Sequence, residues 1–218
     1  MNLSNNDLTQ IGILRYIRDV IIINFIILGI LVWAEYYLKQ VPRNYESIFI
    51  EVDSLVRAVF MLFSSILISK TIINDLRNKE KTELQRKIVV KITNITLIIF
   101  FSIVISNIFL EFSFYTINQN LNLINEELTT GIIFKNLLTL LIYAVTSTLT
   151  SLVPMYIGVL SKSRILTILI SFIPIRILCA DENNGFFLNS ILVIPICLSI
   201  LGILTTYLAI KRIKNTTI

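Results

Sequence analysis

The chain has 218 residues, 55% hydrophobic and only 15% charged, with a mean hydropathy of +0.81. A soluble domain carries roughly 25% charged residues, and a globule of this length has no interior able to hide so much Ile, Leu, Phe and Val. The excess of five positive charges is broken up by long apolar stretches, so it reads as a membrane-orientation signal and no nucleic-acid partner is expected.

In lipid every backbone amide must bond within the chain, which leaves helices as the economical solution. The expected fold is therefore all-α: an integral membrane protein with six transmembrane helices and both termini cytoplasmic, a single domain over residues 1–218. Before the first span, Leu8, Ile11, Leu14 and Ile17 recur every three residues beside Arg15 and Arg18. Residues 1–19 thus form either an amphipathic helix on the inner surface or an extension of the first span. That span is expected over 20–38. It has no small-residue cleavage site, so it is expected to be retained. The second is expected over 55–73 and the third over 92–114. The fourth is expected over 137–160, the fifth over 165–179, which Pro174 interrupts, and the sixth over 187–210. Of the 19 Lys and Arg, 14 fall on the side holding both termini and the 74–91 segment, and the positive-inside rule makes that side cytoplasmic.

There are no histidines, and the six glycines are isolated. His-based metal sites, Ser-His-Asp triads and phosphate-cradling loops are therefore not expected, and neither is catalysis by this chain. Cys179 and Cys197 lie in apolar runs and read as small buried residues. Glu35, Arg57, Glu111, Lys135 and Arg176 are placed near the outer interface, and Lys70 and Lys91 near the inner one, which argues against a proton-coupled carrier. Interior polarity is mild. Asn24, Ser64, Ser65, Ser106 and Asn107 are scattered, and the densest run is Thr146, Ser147, Thr148, Thr150 and Ser151, just before Pro154. Such side chains either let helices pack closely or, with Asn107, line a translocation path.

The segment between the second and third spans carries Asp75, Arg77, Lys79, Glu80, Lys81, Thr82, Leu84 and Arg86, with opposite charges at helical spacing. It reads as a short exposed helix suited to a soluble partner.

At these residues the sequence resembles the permease subunits of type-2 ATP-binding-cassette exporters. Asp75, Thr82, Leu84, Arg86 and Lys91 match that family's second loop, and the tail from Leu204 to Ile213 resembles its usual ending. The Thr82-to-Arg86 interval and the 180–186 connection are shorter than in many members. The resemblance implies that residues 74–91 couple the membrane helices to a separate ATPase subunit, which holds ATP and Mg, while this chain binds no cofactor. It also implies a second permease as partner, a homodimer or a heterodimer, surrounded by membrane lipid. The expected function is export of a hydrophobic or amphipathic substrate, such as a peptide, across a bacterial cell membrane. The alternative is a non-transporting immunity or scaffold protein that binds a peptide or partner in the bilayer.

Overall fold

The computed structural model describes residues 6–37, 44–77, 81–121, 123–124, 127–179 and 193–215, and all regular structure among them is helical. Helix α1 is Asn6–Tyr37 and α2 is Tyr45–Ile68. A π-helical turn, Ser69–Ile73, leads from α2 into the short α3, Asn74–Arg77. Then come α4 (Lys81–Leu121), α5 (Thr130–Thr150), α6 (Val153–Ser161), α7 (Arg164–Leu178) and α8 (Val193–Asn215).

Side-chain caps start several of these helices. Asn44 accepts a hydrogen bond from the Ser47 amide at 2.9 Å to open α2, and Thr129 and Ser163 do the same for α5 and α7. The break between α5 and α6 follows from Pro154, which has no amide to donate to the preceding turn. The chain instead closes with Ser151 N to Ser147 O (2.9 Å) and Leu152 N to Leu149 O (3.2 Å) before α6 starts. Lys162, in the left-handed region at φ 52°, ends α6 and turns the chain into α7.

Helix α1 runs through Val20 without a break, so the segment from Asn6 continues the first helix rather than forming a separate one. The second helical run begins ten residues before the expected Leu55, at Tyr45, and the third extends over 81–121. Among the described residues, five stretches are long and apolar enough to cross a bilayer: Tyr16–Ala34, Tyr45–Arg77, Lys87–Leu121, Thr130–Ser161 and Val193–Asn215. Helix α7, the expected fifth span, has 15 residues, about 22 Å at 1.5 Å per residue, short of a hydrocarbon core of about 30 Å. Residues 187–192 of the expected sixth span lie outside the described residues.

The outward faces carry Phe25, Trp33, Phe112, Phe134 and Ile165, all at least 60% exposed. Water does not tolerate so continuous an apolar surface, whereas lipid does. Inside, α2 buries positions recurring every three or four residues, from Tyr45 through Val52, Val56 and Phe60 to Ile68. Helix α4 supplies the facing ridge of Ile88, Ile92, Ile95, Ile99, Ile103, Leu110 and Phe114.

Cross-helix contacts give the relative directions. Asp53 meets Asn107 and Tyr45 meets Asn118, so α2 and α4 are antiparallel. Arg57 meets Tyr143 and Ser64 meets Ser151, so α2 and α5 run parallel. Tyr16 reaches Ser102 while Phe25 packs on Phe109, so α1 and α4 are also parallel. Helix α7 returns against α2, with Arg164 on Asn74 at one end and Cys179 beside Ser54 at the other.

Candidate functional site

Three polar groupings lie along the packed helices. The one nearest the start of α2 is an ionic cluster that the sequence reading did not assemble. Asp53 and Arg57 are one turn apart on α2, with Arg57 Nε 3.1 Å from Asp53 Oδ2 and their side chains only 6% and 7% exposed. Arg57 Nε also donates to the Asp53 carbonyl at 3.2 Å. Asn107 of α4 donates to the other Asp53 oxygen at 3.2 Å, and the Arg57 guanidinium lies 4.3 Å from the centre of the Tyr143 ring on α5. This arrangement joins three helices through one charged pair, with a cation–π contact as its third side. One turn along α4 from Asn107, Glu111 accepts a hydrogen bond from Asn136 of α5 at 2.8 Å.

Arg57 was expected to reach toward the outer interface. It is instead turned into the helix interior, held by Asp53 and Tyr143. Asp53 carried no sequence signal of its own, because it stood just outside the expected second span. The i, i+4 spacing of Asp53 and Arg57 was the available clue.

The second grouping is the hydroxyl run at the α5–α6 break, whose members behave differently. Thr146 and Thr148 bond back to carbonyls of their own helix, at 3.1 Å to Ile142 and 2.6 Å to Ala144. Ser151 donates to Ser64 across to α2 at 2.9 Å, a packing contact between helices. Ser147 Oγ and Thr150 Oγ1 are buried with no hydrogen-bond partner, and so are Ser106 Oγ and Asn107 Oδ1 on α4. Buried polar atoms are nearly always paired, so these four mark where the interior departs from simple packing. Helix α8 closes on the same break. Gly202 sits against the Leu149 carbonyl so tightly that a methyl group there would lie 2.8 Å from the carbonyl carbon.

The third grouping lies where α3 turns into α4. Asp75 on α3 is ion-paired to Lys91 on α4, which ties the two arms of the 74–91 segment together at their base. Asn74 takes a hydrogen bond from Arg164 at the start of α7. Arg77 ends α3 and is exposed. Lys79 and Glu80 lie outside the described residues. Lys81, Thr82, Leu84 and Arg86 fall on the first turns of α4, where the sequence is mostly polar through Lys87 and turns apolar from Ile88. That mostly polar start is seven residues long, about 10 Å along the helix.

Both cysteines are free thiols, Cys179 half-buried and Cys197 exposed on α8. Among the described residues no cluster of His, Cys, Asp or Glu has the make-up of a metal site.

Long apolar helices with an apolar exterior, packed around an apolar core that holds a few polar groups, are those of a helical protein of the multi-pass membrane class. Over 227 aligned residues the chain is 30% identical to the uncharacterized protein YcbO of Bacillus subtilis (strain 168), with 97% of each chain covered. The chain belongs to the same family as that protein. No family model and no solved structure matches it.

Proposed function

We propose that this chain is the membrane-spanning permease subunit of an ATP-driven exporter in a bacterial cell membrane, with six spans and both termini in the cytoplasm. The observation that carries the reading is the clasped elbow between α3 and α4. Its base is held by Asp75 and Lys91, and its far arm is the mostly polar start of α4. Asp75 and Lys91 are also two of the positions at which the sequence resembles type-2 exporter permeases. A rigid helix with one end outside the lipid is a lever, and a push on residues 81–86 reaches α4 as rigid-body movement.

The moving helix carries Asn107 and Ser106, and it faces α5 with its break at Ser151 and Leu152. Discontinuous helices with unpaired polar groups near mid-span are a recurring way to build a path through a bilayer. In this reading Ser147, Thr150, Ser106 and Asn107 belong to the path in its closed state. Thr146, Thr148 and Ser151 serve packing. ATP and Mg reside on a separate ATPase that docks on residues 75–86, and a second permease completes the path.

The test is purification from the native membrane in mild detergent, with co-eluting proteins identified. A parallel sample carries Asp75→Lys and Lys81→Glu. The expected result is a nucleotide-hydrolysing subunit that accompanies the wild type and is lost from the variant while the chain stays folded. A wild type that elutes with no ATPase, under conditions that keep a known transporter complex together, refutes the exporter and leaves the immunity or scaffold reading.

A further inference from the structure

Where the π-helical turn runs into α3, four cations come together from three parts of the chain. The turn packs on both α6 and α7. Asn74, the residue after the turn, accepts a hydrogen bond from Arg164 at the start of α7, which holds that guanidinium against the end of the α2 run. Lys70 stands four residues before Asn74 and Arg77 three residues after it, so the three lie on one side of the run. Lys162 occupies the left-handed turn between α6 and α7, two residues before Arg164. All four cations are exposed.

These elements leave that charge unbalanced. The π turn, α3, α6 and α7 contain one carboxylate, Asp75, and it is committed to Lys91. Among the described residues, Lys70, Arg77 and Lys162 have neither an ion-pair nor a hydrogen-bond partner. Membrane orientation asks only for basic residues on one side, at any position along the loops. It does not ask for four of them, from separate segments, around one hydrogen bond. Directly beyond Arg164 the surface turns apolar. Ile165, Leu169, Phe172 and Ile173 are exposed along one side of α7. The rise from Ile165 to Ile173 is about 12 Å, close to half of a hydrocarbon core of about 30 Å, which is the depth of one leaflet.

We infer that this corner is a binding site for an anionic phospholipid, its phosphate held among Lys70, Lys162 and Arg164 and its acyl chains laid along α7. A cationic corner opening onto an apolar track one leaflet deep matches the two parts of such a molecule. Lys70 lies one turn nearer the membrane interior than Asn74, and its flexible stem carries the ammonium back to the headgroup level. Phosphatidylcholine presents the same phosphate with a compensating ammonium, and so brings no net charge to the site. The inference stands apart from the exporter reading, because Lys70, Lys162, Arg164 and the α7 face all lie outside residues 75–86.

The experiment uses the full chain, purified in detergent without any ATPase. It is titrated with phosphatidylglycerol or with phosphatidylcholine of the same acyl chains, and bound lipid is counted by native mass spectrometry. The wild type should prefer phosphatidylglycerol. One basic residue near an anionic lipid surface is worth about 5-fold, so Lys70→Gln, Lys162→Gln should weaken phosphatidylglycerol binding on the order of 30-fold and leave phosphatidylcholine binding unchanged. This double variant keeps the Arg164 bond to Asn74 and alters two exposed side chains, so it should melt with the wild type. Arg18→Gln, Lys87→Gln removes the same charge from exposed positions on α1 and α4 and should keep the wild-type preference. A wild type without the preference overturns the site, as does a preference that survives the first double variant. Equal losses in the two double variants overturn it too, in favour of diffuse attraction to a basic membrane face. Displacement of the lipid by equimolar inorganic phosphate would show that the α7 face adds nothing, and so would overturn the phospholipid as the occupant.

Discussion

The close approach of α8 to the α5–α6 break gives the sharpest stability prediction. A methyl group on Gly202 would lie 2.8 Å from the Leu149 carbonyl carbon and 3.4 Å from the Thr150 Cα, and closer still to the Leu149 oxygen. All three are backbone atoms, so no rotamer change relieves the clash. The helices must separate by several tenths of an ångström to about 1 Å, and overpacking of this kind costs about 1–3 kcal/mol. For a domain of this size 1 kcal/mol lowers Tm by roughly 2–4 °C, so Gly202→Ala should melt on the order of 2–12 °C below the wild type. Gly29 on α1 is the internal control, because nothing lies within 4 Å of a methyl group built there. Gly29→Ala gains helix propensity of about 0.5–1 kcal/mol and should match or exceed the wild type. Scanning fluorimetry of the three purified proteins in one detergent decides it. If Gly202→Ala melts with Gly29→Ala, α8 does not pack on the break as described and the reasoning is refuted.

Three further outcomes follow from the same interior. Arg57→Leu leaves Asp53 buried and unpaired and should cost about 3–5 kcal/mol, whereas the Asp53→Leu, Arg57→Leu double variant should recover most of that in chemical-denaturation midpoints; a double variant as unstable as the single would show that the pair is not the coupled unit. Gly158→Ala meets the Thr167 hydroxyl and, at 3.0 Å, the tip of Ile73; both are side chains, so its loss of Tm should be smaller than that of Gly202→Ala and be rescued by Thr167→Ala. Ser151→Ala removes the bond to Ser64 and should cost about 1 kcal/mol, while Ser147→Ala removes an unpaired hydroxyl and should be neutral in the same melts; the reverse order would remove the distinction between packing and unpaired hydroxyls.

Much of the fold was legible because hydropathy accumulates over some 20 residues, and no tertiary contact is needed to read it. The interruption before α6 was not read: Pro154 stood inside an unbroken expected fourth span, whereas Pro174, expected to interrupt the fifth, lies within the continuous helix α7. The state of residues 6–19 was not legible either, since apolar residues three apart serve equally a helix lying apart and one that continues. The ionic cluster was hidden for a different reason. Asp53 and Arg57 look like border residues when the span is drawn from hydropathy, and what buries them is Asn107, 54 residues after Asp53, and Tyr143. Nor could the hydroxyl run be sorted in advance. Whether Ser147 or Ser151 finds a partner depends on which of them faces α2, and composition does not carry that.

The pairing of Asp53 with Arg57 on one helix also bears on how the chain is made. Helix α2 precedes α4 and α5 in the chain, so it emerges before the helices that carry Asn107 and Tyr143 can pack beside it. A lone carboxylate or guanidinium would resist leaving the insertion machinery. Because the two charges sit one turn apart, α2 brings its own counter-ion and can wait as a neutral dipole until α4 and α5 arrive. An Asp53 whose cation came from a later helix would make biogenesis, rather than final stability, the vulnerable step.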